Sequence, residues 1–228
     1  MYKTETHVHT SEVSPCAKLT AKEMIQRYHE MGFQTVFISD HFRHSYFEKL
    51  GEIPWEEKIS KFLSGYYIAK AEGEKFGMNV LMSAEMDFEN SPNHYLVYGI
   101  NKGFLDKYPN IPDMTIAEFS QIAKMNNIFV VQAHPYRENR CTPTPEYIDG
   151  VEIFNSNPRH SDFNEKAEAF AREHNLFMTA GSDAHRNEDV GGAGILSECE
   201  IKTVEEYVTL IKSRRAKIFV SETMYNGG

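Results

Sequence analysis

Two imidazoles one residue apart, in His7-x-His9, can hold one metal ion if the segment is a strand, because strand side chains return to the same side every two residues. Asp183-x-His185 repeats that spacing. Asp40-His41, Glu85 and His134 follow or close other β-rich runs, so the chain carries several ligand-type groups at comparable positions. Neutral imidazoles with few carboxylates suit Zn, Mn or Fe, whereas an all-oxygen shell suits Mg or Ca. One ion takes about three or four protein ligands. The set exceeds one site and therefore predicts a multinuclear cluster with a shared carboxylate. Glu85 is the natural bridge, since its two oxygens can contact two ions.

These groups need elements to position them. Thr20/Glu23, Thr115/Glu118 and Thr203/Glu206 match the capping box, in which each side chain satisfies the other's backbone N–H, and mark helix starts. The pattern predicts helices over about 21–31, 116–126 and 204–214, a long one over 55–76 and another over 162–174. Between them lie β-rich runs over 5–9, 35–39, 80–84, 95–99, 128–132, 150–154, 177–180 and 217–220. Such alternation predicts βα units, a largely parallel sheet and a closed or nearly closed barrel. Nearly every ligand candidate then falls at the C-terminal end of a strand, the rim where barrel active sites are built.

The chain has 228 residues, 41% of them apolar, with no linker or repeat, which predicts one α/β domain over 1–228. A formal charge of -9 without a basic run argues against stable nucleic-acid binding but not against a small anionic substrate. Three cysteines without a CxxC pair argue against a disulfide framework and for a cytoplasmic location, and no apolar stretch is long enough to cross a membrane. Ten histidines are the unusual entry.

As an ordered set, His7-x-His9-Thr10, Ile38-Ser39-Asp40-His41, Ala84-Glu85, the run Asn93 to Gly99 beginning Asn93-His94, Gln132-Ala133-His134-Pro135, Val151 to Asn155 and Gly181-Ser182-Asp183-Ala184-His185 resembles the polymerase and histidinol phosphatase (PHP) family of metal-dependent phosphoesterases. The resemblance covers residues 5 to about 192. It implies a distorted (β/α)7 TIM-like barrel with two or three divalent ions, Mn, Fe or Zn. Carried over residue by residue, it implies that His7, His9, Glu85 and Asp183 hold one ion, Glu85, His94 and His134 a second, and His41 and His185 a third. His94 enters only through the resemblance, since it opens its strand. The chain departs from the family after the first motif, where an acidic residue or His is usual and Ser11 to Cys16 stands instead. Glu12 or Cys16 is the candidate replacement; Asp40 is a candidate partner orienting His41 or His9 rather than a ligand.

The chemistry implied is in-line attack of a metal-bridging hydroxide on the phosphorus of a small phosphomonoester or phosphodiester. His41, Glu85, Asp183 and His185 are the catalytic candidates; His41 or His185 can act as acid only if it is not coordinated. Arg137 and Arg159 are the candidate phosphate donors, with Lys18 behind them. Glu152 reads as a structural residue or a ligand-orienting one, and Asn155 as orienting the Arg159 loop. His29 and His174 read as surface residues, with His44 and His160 in loops beyond the motifs. The segment from Phe42 to Phe47 reads as core that could line a substrate pocket. Alternative functions are a metal-binding regulatory module that has lost turnover, a histidinol-phosphate phosphatase-like enzyme, and a C–N hydrolase, the last disfavoured by the lack of a strand-end Lys for a carbamate bridge. The oligomeric state is left open.

Overall fold

A computed structural model describes residues 1–88 and 91–222. In chain order it contains β1 (Tyr2–Val8), α1 (Ala21–Glu30), β2 (Thr35–Ile38), β3 (His41–Phe42), α2 (His44–Lys49), α3 (Trp55–Phe62), α4 (Ser64–Phe76), β4 (Asn79–Asp87) and β5 (His94–Tyr98). There follow α5 (Lys102–Lys107), α6 (Ile116–Met125), β6 (Phe129–Ala133), β7 (Gly150–Asn155), α7 (Asn164–Glu173), β8 (Phe177–Gly181), β9 (Ala193–Ser197), α8 (Val204–Lys212) and β10 (Lys217–Val220). All three capping boxes form as the sequence predicts.

The sheet runs β10-β9-β1-β2-β4-β5-β6-β7-β8, with the short β3 beside β4. Strands β1, β2, β4, β5, β6, β7 and β8 make a nearly closed seven-stranded barrel. Its seam lies between β8 and β1, where Thr6 Oγ1 donates to Ala180 O at 2.8 Å and His9 N donates to Ala184 O at 3.0 Å. Strands β9 and β10 extend the sheet outside the seam, β9 antiparallel to β1 and β10 antiparallel to β9.

Three predictions need correction. The sheet is less parallel than the alternation implied: β5 is antiparallel to both β4 and β6. Only a short segment links β4 to β5, too short for the crossover helix that a parallel pair requires. The predicted 55–76 helix is two, because Leu63 has ψ near 0° and breaks the run; α3 can then face the Phe42 and Phe47 cluster while α4 lies against α1. Strand β9 was missed, its pattern obscured by Gly191, Gly192 and Gly194.

Strand alternation sorts the core. On β5, Leu96 and Tyr98 join Phe37, Val131 and Tyr207, whereas Tyr95 and Val97 face the cluster that includes Phe104 and Phe119. Phe42 and Phe47 belong to this second cluster, with ring centroids 4.6 Å apart, and line neither of the two cavities beside His41. Among the described residues no helix is long and apolar enough to cross a membrane.

Candidate metal centre

Strand β1 delivers His7 and His9 to the barrel rim, both fully buried, with their Nε2 atoms 3.1 Å apart. Parallel pairing puts His41 of β3 opposite Glu85 of β4. Glu85 lies within its strand rather than after it. Because β5 runs the other way, the residue that opens it reaches the same rim as the residues that close β4 and β6: His94 pairs in register with Asp87 and Ala133. That reversal explains why a rule based on strand C-termini passes over His94. His134 and Asp183 follow β6 and β8 with left-handed φ values of 28° and 51°. Non-glycine residues held there cost of order 1–3 kcal/mol and concentrate at functional sites.

Glu85 is the hub. Its Oε1 lies 2.9 Å from His134 Nε2, 3.0 Å from His94 Nδ1 and 3.4 Å from His7 Nε2. Its Oε2 lies 2.8 Å from His41 Nδ1 and 3.5 Å from His9 Nε2. Asp183 Oδ1 faces His9 Nε2 at 3.2 Å, with His7 Nε2 and His185 Nδ1 each at 3.4 Å. Burial opposes ionisation of both carboxyls, but the imidazoles around Glu85, and His7 with Arg137 around Asp183, hold both well below the usual range. Burial also lowers His9, His41 and His134. His7 and His94 are raised against their burial, His7 chiefly by Glu152 and His94 by Glu85.

Divalent ions fit this donor set. Glu85 Oε2 and His41 Nδ1 are buried and close, yet neither has a hydrogen-bond partner among the described residues, so their lone pairs are left for another acceptor of electron density. Ligand atoms gather within 4.8 Å in four groups: His7/His9/Glu85, His41/Glu85/His94, His7/His134/Asp183 and His9/His41/His185. Glu85 Oε1 also has His94 Nδ1 and His134 Nε2 within 3.0 Å, the trio that the resemblance assigns to one ion.

The PHP-associated family pattern matches residues 162–216. No curated protein matches the chain. Among solved structures, a two-domain protein from Bacteroides vulgatus containing a predicted PHP-like metal-dependent phosphoesterase superposes with a TM-score of 0.72 at 14% identity, covering 97% of this chain and 65% of that one. A lesion-specific endonuclease from Pyrococcus furiosus gives 0.63 at 17% identity, over 95% and 57%. An amidohydrolase from Chromobacterium violaceum, with bound sulfate and no metal, gives 0.59 at 14% identity, over 97% and 99%. The chain thus spans less than two thirds of the first two. The likenesses show the fold, and the family pattern covers the C-terminal segment alone. The chain is similar to PHP domains in fold and, over residues 162–216, to the PHP-associated pattern in sequence.

The loop after the first motif brings no carboxylate to the cluster. Glu12 turns away from the cluster: both carboxylate oxygens accept from Ala21 N, at 2.9 and 3.1 Å, at the start of α1. A carboxylate is favoured there by the helix's unpaired N–H groups. Cys16 is exposed on the cavity wall beside His41 and joins no ligand group. The His9/His41/His185 group is consequently all imidazole. Asp40 reaches the imidazole segment through an intermediary: it accepts from Ser14 Oγ at 2.7 Å, and Ser14 Oγ in turn accepts from His41 N at 3.1 Å and stands 3.4 Å from His9 Nδ1. Gly65 of α4 makes room for this assembly, since a Cβ there would fall 2.1 Å from Thr10 Oγ1 and 2.9 Å from Asp40 Oδ2.

The cluster opens into a cavity of about 610 Å³. Arg137 and Arg159 both line it, but each is held by acids: Arg137 donates to Asp183 Oδ2 at 2.6 Å and Asp162 Oδ1 at 2.7 Å, and Arg159 pairs with Asp189. Sequence reasoning missed Arg43, Arg140 and Arg186, which also line the cavity. Arg43 and Arg186 stand two and one residues beyond His41 and His185, so their nearness to the motifs was the available signal. For Asp162 and Asp189 there was none. Glu152 is buried and accepts from His7 Nδ1 at 2.9 Å, and Asn155 Oδ1 accepts from Asn157 N in the turn leading to Arg159. His160 lines the cavity mouth; His44 pairs with Asp113 away from it. His29 stacks on Phe76, and His174 lies tilted against Phe170. Lys18 is not among the cavity's lining residues.

Proposed function

We propose that this protein hydrolyses a small phosphate ester, using two or three divalent ions held by His7, His9, His41, Glu85, His94, His134, Asp183 and His185. The observation that carries the reading is Glu85: one buried carboxylate within 2.8 to 3.5 Å of nitrogens from five imidazoles. Five imidazoles packed around one carboxylate make poor ion pairs, since they cannot all carry protons at neutral pH, but they make good ligands around shared cations. Divalent ions there supply hydroxide at neutral pH and charge against the phosphoryl oxygens.

The chain's own residues supply the rest. Five of the nine arginines line the cavity and none of the fifteen lysines does, in a protein of net charge -9. Guanidinium groups match a phosphoryl group's planar pairs of oxygens bidentately, as ammonium groups do not. Arg137, tied to both Asp183 and Asp162, is fixed at the inner end and orients a phosphoryl oxygen beside the cluster. His185, whose Nδ1 is 2.8 Å from Asp183 O, can return a proton to the leaving oxygen when its Nε2 is not coordinated.

The test is protein purified without chelator, assayed for metal content and for phosphate release from p-nitrophenyl phosphate, bis-p-nitrophenyl phosphate and a panel of phosphorylated metabolites. Glu85→Gln should lower bound metal and abolish turnover together. An active, fully metallated variant overturns the assignment. One tightly held ion with no turnover on any ester supports the regulatory-module reading, and hydrolysis of amides instead of esters moves the activity to C–N bonds.

A further inference from the structure

Beside the main cavity lies a side pocket of about 230 Å³. The two share a wall, formed by His41, Arg43 and Cys16. Apart from that wall the side pocket is lined by Val13, Pro15, Ser45, Tyr46 and Lys49. Its lining contains two cations and no acidic residue, in a chain with 33 acidic residues against 24 basic ones. Arg43 is held only loosely, its Nε 3.6 Å from Asp87 Oδ2. Lys49 has no ion pair within 4.0 Å among the described residues, while Lys58 and Lys61 on neighbouring α3 are engaged with Phe47 O and Glu57.

We infer that this pocket is the leaving-group subsite of the phosphoesterase proposed above, and that it takes a short leaving group ending in its own anion, a carboxylate or a second phosphate. The inference rests on that phosphoesterase reading. His41 and Arg43 line both cavities, so a phosphoryl group at the cluster with its ester oxygen toward His41 would send the remainder of the substrate past Arg43 into the side pocket. The volume is that of about seven or eight water molecules, at about 30 Å³ each, which suits a chain of about three carbons and a terminal acid. Val13, Pro15 and the Tyr46 ring cover the carbons, and Arg43 and Lys49 meet the charge. Arg43 thereby determines specificity, whereas Arg137 serves the transferred phosphoryl group.

The probes are three esters of one skeleton: 3-hydroxypropyl phosphate, 3-(phosphonooxy)propanoate and propane-1,3-diyl bisphosphate, compared by kcat/KM for phosphate release in the manganese-loaded protein. One charge-assisted contact corresponds to a factor of about ten to a hundred. At least one anionic ester should exceed the hydroxypropyl ester by that factor, and whichever it is distinguishes a carboxylate from a phosphate as the natural terminus. Arg43→Gln and Lys49→Gln should each shrink the ratio of anionic to neutral ester about tenfold, and Lys61→Gln, on the exposed face of α3, should leave it alone. Equal rates on all three esters, or a preference that survives both variants, overturn the subsite and leave the phosphoesterase reading standing. No hydrolysis of any ester overturns both.

Discussion

Glu152→Gln separates orientation of a ligand from support of the fold. Glu152 is fully buried and its two oxygens serve three donors: Oε1 accepts from His7 Nδ1 at 2.9 Å, and Oε2 accepts from His134 N at 3.0 Å and Asn155 Nδ2 at 2.9 Å. With the carboxylate accepting, His7 keeps a proton on Nδ1 and presents the Nε2 lone pair to the cluster. Glutamine has one oxygen and one amide nitrogen. If its oxygen faces His7, its NH2 confronts two N–H donors, a buried clash costing about 1–3 kcal/mol for each group left unpaired. Turned over, it satisfies His134 and Asn155 and donates to His7 Nδ1, which moves the imidazole proton to Nε2. Where His7 is neutral the second arrangement keeps every hydrogen bond, so the fold should lose less than about 1 kcal/mol at a pH that leaves His7 uncharged. The cost falls on metal binding, because a proton then occupies the lone pair aimed at Glu85, His9 and Asp183. Outer partners of metal-binding histidines are worth about 10- to 100-fold in affinity, or about 1.4 to 2.8 kcal/mol. Competition against a chromophoric chelator measures the affinity, and urea unfolding of the metal-free protein measures the stability. Unchanged affinity in a folded variant refutes the tautomer argument. A loss of several kcal/mol of stability shows Glu152 to be a structural group instead.

Two further outcomes follow from buried groups below and behind the cluster. Burial pushes the Glu5 carboxyl from its ordinary 4.5 up to about 7, although Ser182, the backbone N–H of His7 and Tyr28 donate to it. Between about pH 4.5 and 7 the folded state keeps this proton while the unfolded chain releases it, so stability falls as pH rises through that window, by about 3 kcal/mol for this group. The difference in urea midpoint between metal-free wild type and Glu5→Gln, followed from pH 4.5 to 8, should show that slope, and a pH-independent difference would contradict it. Gly65→Ala should destabilise by about 1–2 kcal/mol: the helix propensity gained is about 1 kcal/mol, but the Cβ meets Thr10 Oγ1 at 2.1 Å and overpacking costs about 1–3 kcal/mol or more. A raised melting temperature in that variant would mean that the Thr10/Asp40 contact yields freely.

The residue types and their order along the chain were enough to indicate a barrel and a gathering of ligand-type side chains at one rim around Glu85, because strand periodicity and capping boxes are local signals and metal chemistry restricts which side chains can serve. The capping Thr/Glu pairs each start the helix they predicted. What depends on the reversal of β5 was invisible locally: no property of residues 94–98 alone gives a strand its direction, yet that direction carries His94 to the rim beside Asp87 and Ala133. The same holds for partners distant in sequence. Glu12 was a plausible ligand by type, but the start of α1 takes its carboxylate, and Asp162 and Asp189 come to Arg137 and Arg159 only through the closing of β7 and β8. Sequence determined the chemistry available, since that is set by side-chain type and short-range spacing. Tertiary structure decided which carboxylate meets which cation, because that depends on strand direction and loop closure, which involve segments tens of residues apart.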